Sequence, residues 1–397
     1  MLVSLGPGAG PVAASPTVRA IQVQAGFHHA CAVLTTREVE CWGDNTYDEL
    51  GRSSSSIVPE RIAGLTDVRS IAPGAGFSEC VILMNRTVKC WGYNVQGQVG
   101  GPFPPDRTST PQTVPGLAGV TAVATGEATS CAVLEHEGEV KCWGGPNLQV
   151  GQPPDVVRTN TWTPVRVPGI KHATAVVVGS QYACVLLRNH TVKCWGDNNS
   201  RELGDGTQVD HWNATTVLAP SGSTDRYLQG VLSISVNAAD RTTCALLKHP
   251  LAGTTTPVVC WGDDQVWQLG LDPDQPPVDG QCPHPVGTGV NDACSTGPVP
   301  IEGLDGATQI SAGLYHECAL IGEADEPDTA VKCRIPRQAE TIAPLDHPVQ
   351  VSEGSLYGLA LLEDGTVMFW GRNQYGEIGD GTTIDREVTT PVPVPLV

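Results

Sequence analysis

The sequence predicts an all-β protein in which seven similar units form a seven-bladed β-propeller. A pair of cysteines with Trp-Gly directly after the second one recurs five times, at a spacing of about fifty residues. The 45 glycines, the 32 prolines and the low charged fraction of 16% disfavour long helices. Units that are too small to bury both faces of their own sheet pack best around a closed ring.

Each unit contains the same series of strand signals. In the first unit, residues 19–26 alternate between apolar and polar side chains and end at a glycine, as a half-buried strand does. Residues 31–34 start a second strand, and residues 38–43 return antiparallel to it. A polar loop follows, and a Pro-rich segment such as residues 163–168 predicts an outer edge strand.

The last two units depart from this pattern. In unit six, Arg334 follows Cys333 where the tryptophan is expected. Unit seven has no cysteine, and Leu359 and Phe369 occupy the two cysteine positions. An apolar cross-strand pair can replace a covalent pair if the two positions face each other. The substitution therefore supports the alignment of the units.

The fourteen cysteines predict structural disulfides. They form neighbouring pairs ten to sixteen residues apart, unlike the close Cys-x₂₋₄-Cys spacing of zinc sites. No metal or other cofactor is expected, and disulfides indicate an oxidising compartment. The predicted bridges are Cys31–Cys41, Cys80–Cys90, Cys131–Cys142, Cys184–Cys194, Cys244–Cys260, Cys282–Cys294 and Cys318–Cys333.

We expect one propeller domain over residues 17–397, preceded by a flexible Gly-, Pro-, Ala- and Ser-rich leader over residues 1–16. An insertion at residues 271–300 separates units five and six and carries Cys282 and Cys294. The first residues lack the basic start and long apolar stretch of an export signal. A secreted, periplasmic or cell-surface protein would then carry that signal ahead of residue 1.

The charge excludes one class of partner. The net charge of −19 argues against a nucleic-acid surface, which needs a basic patch to release counterions.

No apolar run approaches the ~20 residues of a membrane span. Motifs of zinc proteases, serine hydrolases and phosphate-binding loops are absent from the sequence, so no catalytic residue and no enzymatic activity is predicted.

Unit four resembles the regulator of chromosome condensation repeat. The resemblance rests on Gly179, on Cys184 with Val185 and Leu186, and on the runs at 192–198 and 202–204, and it extends from about residue 17 to 397. That family forms seven-bladed propellers whose terminal strands share one blade, which implies residues 390–395 beside residues 17–25. The architecture also resembles the propeller-type β-lactamase inhibitory protein, although the cysteines differ.

The turns before the first cysteine of each unit should lie around one face of the ring. The family often has a histidine at the second turn position, as at His29 and His316. Aromatic side chains on an exposed rim are typical binding anchors, although each ring could instead pack on its own blade. The predicted partner-binding residues are Phe27, His28, His29, Phe77, Tyr182, Arg241, Tyr315, His316 and Tyr357.

These observations favour a secreted, monomeric, non-enzymatic scaffold that binds an extracellular protein through this rim. A glycan-binding propeller is the alternative, although the aromatic residues are not repeated unit by unit. A guanine-nucleotide exchange or chromatin factor is disfavoured by the cysteines, the acidity and the missing basic tail. The insertion at residues 271–300 is the next candidate for a binding site.

Overall fold

The structure is a computed structural model, and it describes residues 18–72, 76–101, 106–146, 149–153, 161–221, 223–236, 241–263, 269, 297–314, 316–322, 329–335, 338–342, 345–387 and 391–396. Within these residues the chain forms seven four-stranded antiparallel sheets and no helix. The all-β, seven-bladed prediction is therefore confirmed. No described segment has the length and hydrophobicity of a membrane-crossing helix.

The first four blades have these strands. Blade one contains β1 (Ala20–Ala25), β2 (His29–Leu34), β3 (Val39–Gly43) and β4 (Ser56–Arg61). Blade two contains β5 (Val68–Ile71), β6 (Ser78–Leu83), β7 (Val88–Tyr93) and β8 (Arg107–Thr113). Blade three contains β9 (Val120–Thr125), β10 (Thr129–Leu134), β11 (Val140–Gly144) and β12 (Thr161–Arg166). Blade four contains β13 (Ala173–Val178), β14 (Tyr182–Leu187), β15 (Val192–Gly196) and β16 (His211–Thr216).

The remaining three blades repeat the arrangement. Blade five contains β17 (Val231–Val236), β18 (Thr242–Leu247), β19 (Val258–Gly262) and β20 (Val299–Pro300). Blade six contains β21 (Ala307–Ala312), β22 (Glu317–Ile321), β23 (Ala330–Ile335) and β24 (Gln338–Thr341). Blade seven contains β25 (Pro348–Glu353), β26 (Tyr357–Leu362), β27 (Val367–Gly371) and β28 (Val392–Pro393).

The cysteine positions face each other across the second and third strands of a blade. Cys184 pairs with Cys194 in the register of blade four, and their Cα atoms lie 4.1 Å apart. Six of the seven predicted disulfides are present, and every described cysteine is bridged. The seventh pair, Cys282–Cys294, lies outside the described residues. In blade seven Leu359 and Phe369 are register partners and fully buried, as the alignment predicts.

The Trp-Gly tryptophans join neighbouring blades. Trp42 of blade one is fully buried and donates its indole N–H to the carbonyl of Glu377 in blade seven, at 2.6 Å. Trp91 bonds in the same way to Glu49 of blade one, and Trp261 to Glu202 of blade four. Each ring adds apolar contact area to a directional bond between blades. These tryptophans are structural.

Side chains of the innermost strands also cross from one blade to the next. The Gln350 amide of β25 donates to the carbonyl of Val23 in β1 at 2.8 Å and accepts from the Val23 N–H at 3.0 Å. Gln22 makes the same two bonds with Ile71 of β5. The Ser352 hydroxyl accepts from the Ala25 N–H at 3.0 Å. The innermost strands are thereby linked without forming one continuous sheet.

The predicted sharing of one blade by both chain ends is wrong. The four strands of every blade follow one another in sequence, and β28 pairs with β27 rather than with β1. The ring closes instead through the contacts of blade seven with blade one described above. Of the other domain predictions, the leader at residues 1–16 and the insertion at residues 271–296 lie outside the described residues.

Candidate functional site

The alternating strand directions divide the propeller into two faces. The turns between first and second strands and the loops between third and fourth strands lie at one end, which we name the turn face. In blade one these are residues 26–28 and 44–55. The hairpins between second and third strands and the connections between blades lie at the other end, named the tip face. Residues 35–38 are the blade-one example.

A common loop structure supports the turn face. After four of the six Trp-Gly pairs, an asparagine side chain holds the loop closed: the Asn45 Oδ1 atom accepts from the Leu50 N–H at 2.8 Å, and Asn373 does the same for Ile378. A buried acid completes the loop, because the Glu49 carboxylate accepts from the Tyr47 N–H at 2.7 Å. In blades one and seven these bonds fix the loop backbone that carries the exposed side chains.

The buried loop acids have raised pKa values. Burial raises the pKa of Glu49, Glu202 and Glu377 to about 7. Blades two and three have Gln98 and Gln149 at this loop position, and the Gln98 side chain accepts the Gln96 N–H at 3.0 Å. The loop thus needs an oxygen acceptor at this position but does not need a charge.

Six rings on the turn face form an unbroken row across three blades, which we name the aromatic cluster. Its members, in the order in which their rings contact one another, are Tyr93, Tyr47, Phe77, Phe27, His28 and Tyr375. The ring centroids of successive members lie 5.0, 5.0, 4.9, 4.3 and 4.6 Å apart. Edge-to-face contacts predominate, and the His28–Tyr375 contact is stacked.

The aromatic cluster remains accessible to solvent. Phe27, His28, Tyr47, Phe77 and Tyr93 are half-buried, and Tyr375 is 45% exposed. Side-chain hydrogen bonds fix the backbone beside two of its rings. The Ser355 hydroxyl donates to the Phe27 carbonyl at 2.7 Å, and Arg107 donates to the Thr46 carbonyl beside Tyr47 at 2.7 Å. Burial lowers the pKa of His28. The result is an apolar, mainly neutral surface on a fixed backbone.

Three of the predicted rim residues are buried, so their predicted exposure is wrong. His29, Tyr182 and Tyr357 are only 1–2% exposed. Each lies at the second turn position, where the ring folds back over the turn glycine. A Cβ atom on Gly179 would lie 2.2 Å from the Tyr182 ring, and one on Gly354 would lie 2.4 Å from the Tyr357 ring.

These buried rings bond across blade boundaries. The His29 Nε2 atom lies 2.9 Å from a Glu79 carboxylate oxygen of blade two. The Tyr182 hydroxyl lies 2.8 Å from the Thr243 hydroxyl of blade five, and the Tyr357 hydroxyl donates to the Gly26 carbonyl at 3.0 Å. Burial acts to lower the pKa of His29, but the hydrogen bond and the charge of Glu79 raise it above its ordinary value. The second turn position is therefore a structural position.

The remaining predicted residues have separate places. Arg241 is half-buried and lies 3.1 Å from a Glu202 carboxylate oxygen and 3.4 Å from Asp197, which joins blades four and five. His316 lies 2.5 Å from a Glu353 carboxylate oxygen. Tyr315 lies outside the described residues. Phe27, His28 and Phe77 are thus the predicted rim residues that the structure brings together in the aromatic cluster.

One group of side chains has the spacing of metal ligands. Donor atoms of His316, Cys318 and Glu353 all lie within 4.8 Å of one another. The Cys318 sulfur is bonded to Cys333, however, and a disulfide sulfur is not the thiolate that binds metals. Two ligands then remain, and the short His316–Glu353 hydrogen bond uses both.

Sequence reasoning missed half of the aromatic cluster: Tyr47, Tyr93 and Tyr375. A signal for them is present in the repeat alignment, because Tyr47 and Tyr375 both stand two residues after the loop asparagine, and Tyr93 directly follows Trp-Gly. The rim residues were predicted from the turns alone, but the loops after Trp-Gly lie on the same face of the propeller and also contribute rings.

Comparisons with known proteins agree with this architecture. The sequence profile of the regulator of chromosome condensation (RCC1) repeat matches residues 20–49 and 173–201. Human E3 ubiquitin-protein ligase HERC2 is 30% identical over 392 residues, which are 92% of this chain and 7% of HERC2. The mouse secretion-regulating guanine nucleotide exchange factor is 26% identical over 308 residues, covering 75% of this chain and 53% of that protein.

The fold also agrees with solved structures. The crystal structure of human WBSCR16 has a TM-score of 0.70 at 17% identity, and the match covers 90% of this chain and 95% of that one. The chain spans about half or less of the length of the two curated relatives described above. The repeats, the strand register and the closed ring lead to one conclusion: this chain is a seven-bladed propeller whose first and fourth units match the RCC1-repeat profile.

Proposed function

We propose that this chain is a non-enzymatic binding scaffold that takes a protein partner on the aromatic cluster. The observation that carries the proposal is the unbroken row of six half-buried or exposed rings across three blades. Aromatic residues are enriched at the centres of protein interfaces, where they bury large areas at little cost in side-chain entropy.

The disulfides support an extracellular or periplasmic location for this function. Six bridges, each joining neighbouring strands of one blade, persist best where no cytosolic thiol reductants act on them. The partner on this proposal is an extracellular protein. Because the net charge is −19, association with a neutral or basic partner is electrostatically favoured.

A second candidate function is guanine-nucleotide exchange, and one observation favours it. The mouse relative at 26% identity is named a guanine nucleotide exchange factor. The disulfides speak against a cytosolic exchange factor, because disulfides are rare in the reducing cytosol. The glycan alternative is less favoured, because a sugar stacks on an open ring face and most rings of the aromatic cluster already contact their neighbours.

The proposal is tested by affinity capture from the extracellular fraction of the native source. The wild-type chain, a Phe77→Ala/Tyr375→Ala variant and a Tyr227→Ala control are compared by quantitative mass spectrometry. Tyr227 is half-buried and lies on the tip face, so it has the same side chain as Tyr375 but lies on the opposite face from the aromatic cluster. Central aromatic anchors contribute roughly 2 kcal/mol each, so the double variant should lose the partner and the control should keep it. A folded double variant that retains the same partner at full strength would refute the proposal.

A further inference from the structure

A recess on the tip face of blade four has a chemistry that the other blades lack. It has a volume of about 370 Å³ and is lined by Lys171, His172, Leu187, Arg188 and Asn189. Ligand pockets usually begin near this size. The recess lies between the connection that enters blade four and the hairpin tip of the same blade. The aromatic cluster is on the opposite face, so the two surfaces are independent.

The backbone of this recess is repeated around the ring. In blade four the Arg188 N–H donates to the His172 carbonyl at 2.8 Å. The equivalent bond in blade two joins Met84 to Asp67 at 2.8 Å, and in blade seven it joins Glu363 to His347 at 2.9 Å. Blades one, three, five and six have the same bond, with lengths of 2.8–3.1 Å. Differences between the blades at these positions therefore come from their side chains.

The side chains of blade four are the basic exception. Lys171, His172 and Arg188 occupy the three positions where blade seven has Asp346, His347 and Glu363. The remaining sets, in blade order one, two, three, five and six, are Val18, Arg19 and Thr35; Thr66, Asp67 and Met84; Ala118, Gly119 and Glu135; Gln229, Gly230 and Lys248; and Asp305, Gly306 and Gly322. Among these described positions, blade four alone places two permanent cations at one recess. It does so in a chain whose net charge is −19.

Arg188 is the more available of the two cations. Among the described residues, the Arg188 guanidinium has no hydrogen bond or ion pair. Lys171 has one partner, the exposed Glu137 carboxylate at 2.7 Å. A hydrogen bond from Lys171, reinforced by its charge and by His136 and His172, lowers the pKa of Glu137. That shift is consistent with a positive local potential.

We propose that the blade-four recess binds a small aromatic anion, a carboxylate or sulfonate attached to an apolar ring system. Arg188 would pair with the anionic group, because a guanidinium matches planar oxyanions and also stacks on aromatic faces. Lys171 adds a second charge from the opposite wall. Leu187 and the aliphatic stems of both cations provide the apolar contact for the ring system.

The test uses two fluorescent probes of nearly the same shape. 8-Anilinonaphthalene-1-sulfonate carries the sulfonate, and N-phenyl-1-naphthylamine lacks it. We expect the sulfonate probe to bind the wild-type chain saturably. Lys171→Gln and Arg188→Gln should each weaken that binding about tenfold, since a hydrogen bond to a charged group contributes this much. Both side chains are exposed, so neither change disturbs the core.

Two matched variants sharpen the test. Glu137→Gln frees Lys171 from its ion pair and should tighten binding of the sulfonate probe several-fold. Glu363→Gln changes the equivalent position of blade seven and should leave binding unchanged. The uncharged probe should bind all variants equally. The proposal is overturned if both Gln substitutions in blade four leave sulfonate-probe affinity unchanged, or if the uncharged probe loses affinity to the same extent.

Discussion

Aromatic side chains on the turn face occupy two environments, which Tyr182 of blade four and the aromatic cluster of blades seven, one and two exemplify. In blade four, Tyr182 is buried and bonded to Thr243 of the next blade. In the aromatic cluster, Phe77 and Tyr375 contact other rings and remain partly open to solvent. The comparison teaches that a ring at the second turn position packs between blades, whereas rings at the first turn position and in the loops stay accessible to a partner, as our proposal requires.

The largest expected loss of stability comes from removing the buried rings at the second turn position. Tyr357→Ala and Tyr182→Ala each remove a fully buried ring and its bond between blades. We expect each to lower the free energy of unfolding by about 3–5 kcal/mol, as large core truncations do. Urea denaturation followed by tryptophan fluorescence measures the change. A midpoint equal to that of the wild type would show that the second position is not structural.

The next effect compares the covalent pair of blade four with the apolar pair of blade seven. Cys184→Ala/Cys194→Ala opens a bridge between residues ten apart in sequence. The chain-entropy relation then predicts a loss of about 2.5–3 kcal/mol. Phe369→Ala should cost about as much or more, because Phe369 is fully buried against Tyr357 at a ring distance of 5.2 Å. A negligible effect of Phe369→Ala would mean that blade seven is only loosely packed.

A third effect concerns the buried acids of the loops. The pKa of Glu377 is about 7 in the folded chain, above the ordinary value of 4.5, because the carboxyl is buried. Between these two values the folded state holds more protons than the unfolded state, so stability falls as pH rises from about 4.5 to 7. Glu377→Gln should therefore increase stability at pH 8 by on the order of 2 kcal/mol and change little at pH 4.5.

Blade two provides the matched control for this pH effect. Gln98 occupies the same loop position and already has the neutral side chain. Gln98→Glu should add a pH dependence of the same sign, with lower stability at pH 8 than at pH 5. Thermal melts across this pH range measure both variants. A Glu377→Gln variant with the wild-type pH profile would contradict the assignment of a raised pKa to Glu377.

The smallest stability effect belongs to the aromatic cluster itself. Phe77→Ala and Tyr375→Ala remove rings that are already partly exposed, so each should cost about 1 kcal/mol or less. The same changes should have the largest effect on partner binding. A loss of 3 kcal/mol or more in either variant would show that the ring is mainly a structural element of the fold.

The fold could be predicted because its determinants are local and repeated. The Cys, Trp and Gly positions fix strand register in the first five units, and Leu359 with Phe369 preserves that register in unit seven without a bridge. The burial of Tyr182 and Tyr357 could not be read from residue type, because it depends on how each ring packs over a glycine three residues earlier. The predicted sharing of one blade by the two chain ends was wrong for a similar reason. The ring closes through contacts of Gln350 and Trp42 with residues more than three hundred positions away, and the sequence pattern does not show such contacts.

The most direct test of the central claim is hydrogen–deuterium exchange on the captured partner complex. Binding to the aromatic cluster should slow exchange in the backbone amides of residues 26–29, 44–48, 76–78 and 372–376, all on the turn face of blades seven, one and two. Exchange at the hairpin tips, residues 35–38, 84–87 and 188–191, should not change. Protection confined to the tips, with the turn face unaffected, would contradict the proposed binding surface.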